Sequence, residues 1–228
     1  AFRNLSPSLP IVVAAAGDLV GMGLAKTLAQ PGGNITGSQI LSTDLAAKRL
    51  QLFKELMPSC ERFGLLHQAV QAEEAAYYVR LFAELQAAGR EASLRIRSFA
   101  VTSDADFESA FAAMKRERLE ALIVASNPFM FSHRQRLAEL AARHQLPVMH
   151  EYAEYVAAGG LLAYGVKLGE FWRRAAHFVD RILRGSKPAD LPIEQPKTLE
   201  LVINLKTAKA LGLTIPGSLL LRADQLIE

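Results

Sequence analysis

The 228-residue chain is 50% hydrophobic and 21% charged, a composition that excludes an intrinsically disordered protein and suits a globular one with a sizeable core. Its formal net charge of +3 is mild, and its basic residues are scattered rather than clustered with aromatic ones, so nucleic-acid binding is disfavoured. Cys60 is the single cysteine, which excludes an internal disulfide and a cysteine metal cluster. The length fits one large domain or two small ones, and no apolar stretch of the sequence approaches the roughly 20 residues that span a bilayer.

The first organised unit is residues 11–37, IVVAAAGDLVGMGLAKTLAQPGGNITG. The apolar run 11–16 predicts a parallel strand buried on both faces, and the pattern after it predicts a helix that begins at Asp18 and ends before Pro31. Ligands of open α/β sheets sit beyond the carboxyl ends of the strands, so Gly17 and Asp18 are candidates for contact with a small molecule. The alternative role for Asp18 is to cap the helix N-terminus.

Apolar runs and amphipathic stretches alternate along the rest of the chain. Strands are predicted at residues 62–67, 92–98, 121–125, 146–150, 161–164 and 199–204. Helices are predicted at residues 45–57, 73–88, 107–118, 133–144, 151–158, 169–185 and 205–211. In the helix 169–185, helical spacing predicts that Trp172 packs in the core with its apolar neighbours. The proline-rich stretch 187–196 is predicted to be an extended crossover, and the alternation as a whole predicts a parallel sheet with helices on both faces.

Three stretches together resemble one family. They are GDLVGMGLAKTLAQPGGNITG, AAGGLLAYGVKLGEFWRRAAHFVDRILRGSKPADLPIEQP and LELVINLKTAKALGLTIP. In this order the chain is similar, over essentially its whole length, to the substrate-binding proteins of ABC transporters in the group that includes tryptophan and tyrosine binders. The resemblance implies an α/β fold of the type I periplasmic-binding-protein kind, with doubly wound parallel sheets in two Rossmann-like lobes. It also implies a small-molecule ligand that is held between the lobes and sealed in by hinge closure.

The chain departs from that family at its start. Members carry a signal or lipoprotein segment and several βα units before the stretch that matches residues 11–37, and this sequence lacks them. The resemblance therefore implies an incomplete first lobe, formed by residues 1–36 and 161–195, and a second lobe formed by residues 37–160 and 196–228. We expect either a fragment or a homodimer in which a second copy covers the exposed apolar surface. The implied location is periplasmic or membrane-anchored and extracytoplasmic.

A free amino acid needs donors for its carboxylate, an acidic or carbonyl group for its ammonium and a pocket for its side chain. The residues predicted to bind the ligand are Gly17, Asp18, Asn127, Glu151, Tyr152 and Tyr164. Asn127 stands where similar proteins often hold an acidic residue, so the ammonium is expected at Asp18 or Glu151. The alternative for Glu151 is to cap the helix that it starts.

Aromatic residues near the strand ends are candidates for the pocket. Tyr152, Tyr155 and Tyr164 could line it or stack on an aromatic side chain, and Tyr164 is favoured because it ends a strand. For Tyr155, packing on its own helix is favoured. The apolar residues 129–131 either pack at a helix start or line the cleft.

Other chemistries find little support in the sequence. The five histidines are dispersed without H-x-x-x-H spacing, which disfavours a metal site, and no cofactor is predicted because GDLVGMG is not the G-x-G-x-x-G of a dinucleotide loop. No catalytic motif stands out in the sequence. The family resemblance implies a non-enzymatic component of an ABC importer that captures an aromatic or related amino acid and delivers it to a membrane permease. The alternatives are a ligand-sensing domain of the same fold, an enzyme with Asp18 or Glu151 as general base, and a truncated chain with no intact ligand site.

Overall fold

The structure is a computed structural model that describes residues 8–40, 45–69, 72–195 and 198–228. The strands, in chain order, are β1 (Ile11–Ala16), β2 (Ile35–Gln39), β3 (Arg62–Gln68), β4 (Arg95–Val101), β5 (Ala121–Val124), β6 (Val148–His150), β7 (Leu162–Val166), β8 (Leu199–Asn204) and β9 (Gln225–Ile227). The helices are α1 (Ala46–Leu56), α2 (Ala72–Glu91), α3 (Asp106–Arg116), α4 (Pro128–Ser132), α5 (Arg134–Arg143), α6 (Ala153–Ala157), α7 (Leu168–Leu183), α8 (Leu205–Ala210) and α9 (Gly217–Arg222).

The chain divides into two compact units. Unit 1 comprises Ala1–Leu41 and Val166–Leu199, and unit 2 comprises Ser42–Gly165 and Glu200–Glu228. In the described residues of both units, no helix combines the length and the apolar character that crossing a bilayer would need.

Unit 1 is built on a small parallel sheet. β1 pairs with β2, and Val13 lies opposite Gly37. Gly37 has φ +135°, and a Cβ there would overlap the Val13 carbonyl oxygen, so this pairing requires glycine. α7 packs on both strands and buries Phe171 and Phe178.

Two expectations for unit 1 are wrong. β1 is half-buried rather than buried on both faces, because the described sheet of unit 1 has two strands and α7 packs on it. Trp172 is 66% exposed. The periodicity of α7 places Phe171 and Phe178 on one face, and Trp172 falls on a second apolar stripe with Val179 and Leu183 that is exposed.

The helix predicted after β1 is also absent from the structure, where residues 18–33 form turns and bends. The Met22 amide donates to the Asp18 carbonyl at 2.9 Å, which makes one turn of helical type. Gly23 then takes φ +66°, a left-handed conformation that does not continue a helix. The spacing of the apolar residues predicted a helix, but Gly21 and Gly23 lie within this stretch and the helical conformation ends after one turn.

Unit 2 confirms the predicted parallel sheet with helices on both faces. Its strands lie in the order β4-β3-β5-β6-β7-β8-β9, and β3 is parallel to both β4 and β5, while β6 is parallel to both β5 and β7. Successive side chains of a strand point to opposite faces, so Leu65 packs with α1 and α2 while Leu66 packs with α3 and α5. The predicted strands and helices from residue 45 to residue 211 are present with shifts of a few residues at their ends. Elements that were not predicted from the sequence are β2, α4, α9, β9 and a 3₁₀ turn at Pro188–Asp190 within the predicted crossover.

Candidate functional site

The candidate site is the carboxyl edge of the unit 2 sheet. β3, β5, β6 and β7 are neighbouring parallel strands, so their carboxyl ends meet along this edge. β3, β5 and β6 each deliver a polar residue there or just beyond it, namely Gln68, Asn127 and Glu151, whereas Tyr164 lies in the middle of β7. Open α/β sheets bind ligands at this edge, because the loops and helix N-termini that follow the strands present unpaired backbone donors.

A buried ion pair lies at the centre of the edge. Glu151 directly follows β6, and its Oε1 lies 3.4 Å from Nη1 of Arg49, which projects from α1. Both side chains are 2% exposed. An ion pair removed from water in this way stabilises the fold little, but either charge left without the other would be costly.

Backbone atoms of β7 complete the surroundings of this pair. Nε of Arg49 donates a hydrogen bond of 2.9 Å to the carbonyl oxygen of Tyr164. The next residue is Gly165, where a Cβ would overlap the Glu151 carbonyl oxygen, so a residue with a side chain would push β7 away from Glu151. The ring of Tyr164 is half-buried and packs against the core beneath α1 and α2.

Asn127 holds the edge together through its amide group. Its Oδ1 accepts a 2.8 Å hydrogen bond from the Met130 amide and so caps α4. Its Nδ2 donates at 2.8 Å to Oε1 of Gln68 and at 2.8 Å to the hydroxyl of Tyr78. Both amide protons are therefore engaged, and the bonds tie the ends of β3 and β5 to α2.

Aromatic side chains surround the polar groups on the α4 and α6 side. Tyr152 meets Phe131 edge to face with ring centroids 6.3 Å apart, and Tyr155 meets the same ring at 5.7 Å. The hydroxyl of Tyr155 lies 3.1 Å from Oγ of Ser126. Burial raises the pKa of both tyrosines well above the ordinary value, with a smaller contribution from the Glu151 charge, so both phenols stay neutral. As expected, Tyr155 is a buried packing residue.

His150, the last residue of β6, is the most unusual titratable group near the edge. It is 1% exposed and stacks on Tyr155 at 4.3 Å with an interplanar angle of 12°. Neither ring nitrogen has a hydrogen-bond partner in the described part of the chain. Burial lowers its pKa from 6.5 to about 3, so the imidazole is neutral.

The sequence candidates divide between the two units. Asn127, Glu151 and Tyr152 gather at the carboxyl edge of the unit 2 sheet. Tyr164, which was predicted to end a strand, lies instead in the middle of β7, and its ring packs against the core. Gly17 and Asp18 belong to unit 1, where Oδ1 of Asp18 accepts a 2.9 Å hydrogen bond from the Gly21 amide. Capping is thus a role that Asp18 performs, although over a single turn. Glu151 does not cap α6 within the described residues, since Tyr152 is the N-cap residue of that helix.

Arg49 was not predicted from the sequence as a site residue. It occupies the buried stripe of α1, three residues after Ala46 and four before Phe53, both of which are buried. An arginine at a position where helical spacing calls for an apolar residue was the available signal, because a buried guanidinium needs a carboxylate or carbonyl partner. The sequence could not supply that partner, which lies 102 residues away.

Other features of unit 2 fit a ligand site less well. Among the described residues, no group of three or more histidine, cysteine or acidic side chains is placed to hold a metal ion. One surface groove, of about 450 Å³, is lined by residues from Leu205 to Leu220, and another, of about 680 Å³, lies between α1 and the end of α2. Both are lined by residues other than those of the carboxyl edge.

Comparison with known sequences gives a family match over nearly the whole chain. A family model described as ABC transporter substrate binding protein matches residues 3–227. A tyrosine-binding protein of Clostridioides difficile (strain R20291) is 23% identical over 211 residues, which are 92% of this chain and 59% of that protein. The chain thus spans less than two thirds of the length of that relative.

Comparison with solved structures confirms the predicted fold. The ABC domain in complex with L-Trp from Streptococcus pneumoniae is 28% identical with a TM-score of 0.88, and the match covers 99% of this chain and 74% of that one. A conserved domain protein from Vibrio cholerae is 27% identical with a TM-score of 0.88 and the same coverage. The chain has the doubly wound α/β fold of the type I periplasmic-binding-protein kind.

Proposed function

Because the chain belongs to the family of ABC transporter substrate-binding proteins, we propose that it is the solute-binding component of an ABC importer. Proteins of this family are extracytoplasmic and generally bind a small molecule without transforming it. The proposed ligand is an aromatic or related amino acid, which the protein delivers to a membrane permease. The proposed location is the periplasm or the outer face of a membrane, and the proposed lobes are residues 1–36 with 161–195 and residues 37–160 with 196–228.

One observation supports this proposal most directly: a buried ion pair and aromatic rings lie together at the carboxyl edge of the unit 2 sheet. Arg49 and Glu151 place both signs of charge at this edge as a buried pair, and the zwitterionic head of an amino acid carries the same two signs. Tyr152 and Phe131 offer apolar ring surface beside them. Because the phenol of Tyr152 is neutral, the aromatic side chain of a ligand would not lie against a charged group there. A tyrosine-binding relative and a structural relative in complex with L-Trp support the same class of ligand.

A thermal-unfolding screen tests the proposal. A ligand that binds the folded state alone stabilises it by about 2.7 kcal/mol at roughly 100 times its Kd. L-tyrosine, L-tryptophan or L-phenylalanine is expected to raise the Tm in a concentration-dependent way, while glucose and ribose leave it unchanged. A Tm that none of the three amino acids raises would overturn the proposed ligand class.

A matched pair of variants connects the shift to the site. Tyr152→Phe keeps the ring, and the phenolic oxygen that it removes makes no hydrogen bond among the described residues, so the ligand-induced shift should persist. Tyr152→Ala removes the ring and should reduce the shift. Equal shifts in the two variants would mean that the ring of Tyr152 does not face the ligand.

A further inference from the structure

Arg134, the first residue of α5, lies beside the aromatic rings of the candidate site. The central carbon of its guanidinium lies over the Phe131 ring, 4.8 Å from the ring centroid. The same ring meets Tyr152 and Tyr155 edge to face. Because the face of an aromatic ring attracts a cation, the guanidinium is held against this group of rings.

The charge of Arg134 acts on the phenol of Tyr155. Burial raises the pKa of Tyr155, and a hydrogen bond from Ser126 and the positive charge of Arg134 both act in the opposite direction. An electrostatic effect of this kind falls off with distance, so the guanidinium is close to the phenol as well as to Phe131. A molecule that packs on these rings would therefore lie beside a cation.

Most of the hydrogen-bonding capacity of Arg134 is unused. Its Nη1 donates a hydrogen bond of 3.0 Å to the carbonyl oxygen of Phe131. Within the described part of the chain, no carboxylate pairs with this guanidinium, and its Nε and Nη2 donate no hydrogen bond. A guanidinium has five N–H donors in a rigid, planar fork, so four remain for a ligand. The side chain is half-buried, which leaves part of it open to a molecule from solution.

Arg134 differs in this respect from neighbouring arginines. Arg49 is 2% exposed and pairs with Glu151, so both groups are enclosed by protein. Arg136, also on α5, pairs with Glu108 at 2.6 Å. No acidic residue stands in the first turn of α5 that could do the same for Arg134. Arg134 is thus a cation that lies against aromatic rings and has kept its donors for another partner.

A planar anion with two oxygens matches these donors. We propose that Arg134 binds the carboxylate of the ligand through Nε and Nη2, while the Phe131 ring and carbonyl hold the guanidinium in place. This inference rests on the proposed function and adds to it the residue that recognises the carboxylate. Two parallel N–H to O bonds between a guanidinium and a carboxylate are stronger than neutral hydrogen bonds and fix the orientation of the anion. The ligand is therefore an aromatic carboxylate, and aromatic amines or amides without that anion bind weakly.

The test compares two probes that differ in the carboxylate. Calorimetric titration measures the Kd of L-tyrosine and of L-tyrosinamide, which keeps the ring and the ammonium and replaces the carboxylate with a neutral amide. The parent chain should bind L-tyrosine at least about tenfold more tightly than L-tyrosinamide, and Arg134→Gln should remove most of that preference without weakening the binding of L-tyrosinamide. Arg136→Gln removes a paired arginine of the same helix and is the matched control, which should keep the preference.

A second variant tests the shape of the donor. Arg134→Lys keeps the positive charge and loses the planar fork, so it should retain only part of the preference for L-tyrosine. A lysine variant with the full preference would contradict binding through Nε and Nη2. The Tm of each variant without ligand shows that the chain remains folded.

The outcomes separate this inference from the proposed function. A parent chain that binds neither probe overturns the proposed function, and this inference with it. A parent chain that binds both probes equally, or an Arg134→Gln variant that keeps the full preference for L-tyrosine, overturns the inference alone, because the carboxylate is then held by other groups. An Arg134→Gln variant that weakens both probes to the same degree also overturns it, since Arg134 would then act through the fold.

Discussion

Acidification should destabilise unit 2 through His150. The imidazole is neutral in the folded protein because burial lowers its pKa from 6.5 to about 3. In the unfolded chain it accepts a proton at its ordinary pKa. The stability that the neutral form contributes is thus complete above about pH 6.5 and is lost progressively as the pH falls from there towards 3.

The size of the loss follows from the two pKa values. At about pH 4.5 the solution is two pH units below the unfolded pKa of 6.5 and still above the folded pKa of about 3. Each unit corresponds to about 1.36 kcal/mol, so protonation of the unfolded state should cost about 3 kcal/mol relative to pH 7. Carboxylates also titrate in this range, so the contribution of His150 must be isolated by substitution.

The assay is urea unfolding of the parent and His150→Phe, followed by far-UV circular dichroism at about pH 7 and about pH 4.5. Phenylalanine keeps the ring that stacks on Tyr155 and removes the group that titrates. The free energy of unfolding of the variant, minus that of the parent, should increase by about 3 kcal/mol when the pH is lowered from about 7 to about 4.5. His177→Gln, at an exposed histidine, controls for the loss of an imidazole. A difference between His150→Phe and the parent that does not change with pH would refute the reasoning.

Three further predictions concern the geometry of the edge and the core behind it. Gly165→Ala places a Cβ against the Glu151 carbonyl oxygen and should lower the free energy of urea unfolding by about 1–3 kcal/mol. Gly17→Ala, at a position where the described structure leaves open space, should change it little, and equal effects of the two variants would contradict the close approach of β7 to Glu151. Asn127→Ala removes the hydrogen bonds to Gln68, Tyr78 and the Met130 amide and should lower the free energy of unfolding by about 1–3 kcal/mol in the same assay. Asn127→Asp should lose less stability because it keeps the cap of α4, and an Asp variant as unstable as the Ala variant would show that the cap contributes nothing. Burial raises the pKa of the Cys60 thiol to about 12, so a thiol reagent at about pH 8 should label this single cysteine in the unfolded chain and not in the folded one. Rapid labelling of the folded chain would contradict the burial of Cys60.

The alternation of strands and helices could be predicted from the sequence because apolar residues recur with period 2 in strands and 3.6 in helices, which are local patterns. The apolar stretch ALIVA predicted β5, and the apolar spacing around Phe107 and Phe111 predicted α3. The turn region after β1 was misread because glycine conformation outweighed an apolar pattern that suggested a helix. Trp172 was misplaced because helical spacing shows that a residue lies on an apolar stripe and does not show whether anything packs on it.

The candidate site was predicted in part for a related reason. Residues that directly follow strands, such as Asn127 and Glu151, could be found because parallel strands bring their carboxyl ends to one edge. Their bonding could not be found, since Arg49 and Tyr78 come from helices far away in the chain. Glu151 was expected to be a ligand contact or a helix cap, and its burial against Arg49 depends on tertiary packing that no local pattern encodes.

Amide hydrogen exchange with and without L-tyrosine tests most directly whether the carboxyl edge of the unit 2 sheet is where an aromatic amino acid binds. Ligand should slow exchange in residues 125–131 and 151–156, which follow β5 and β6, and leave exchange in residues 205–220 unchanged. Slowed exchange confined to residues 205–220, or no change anywhere at saturating L-tyrosine, would contradict a ligand site at this edge.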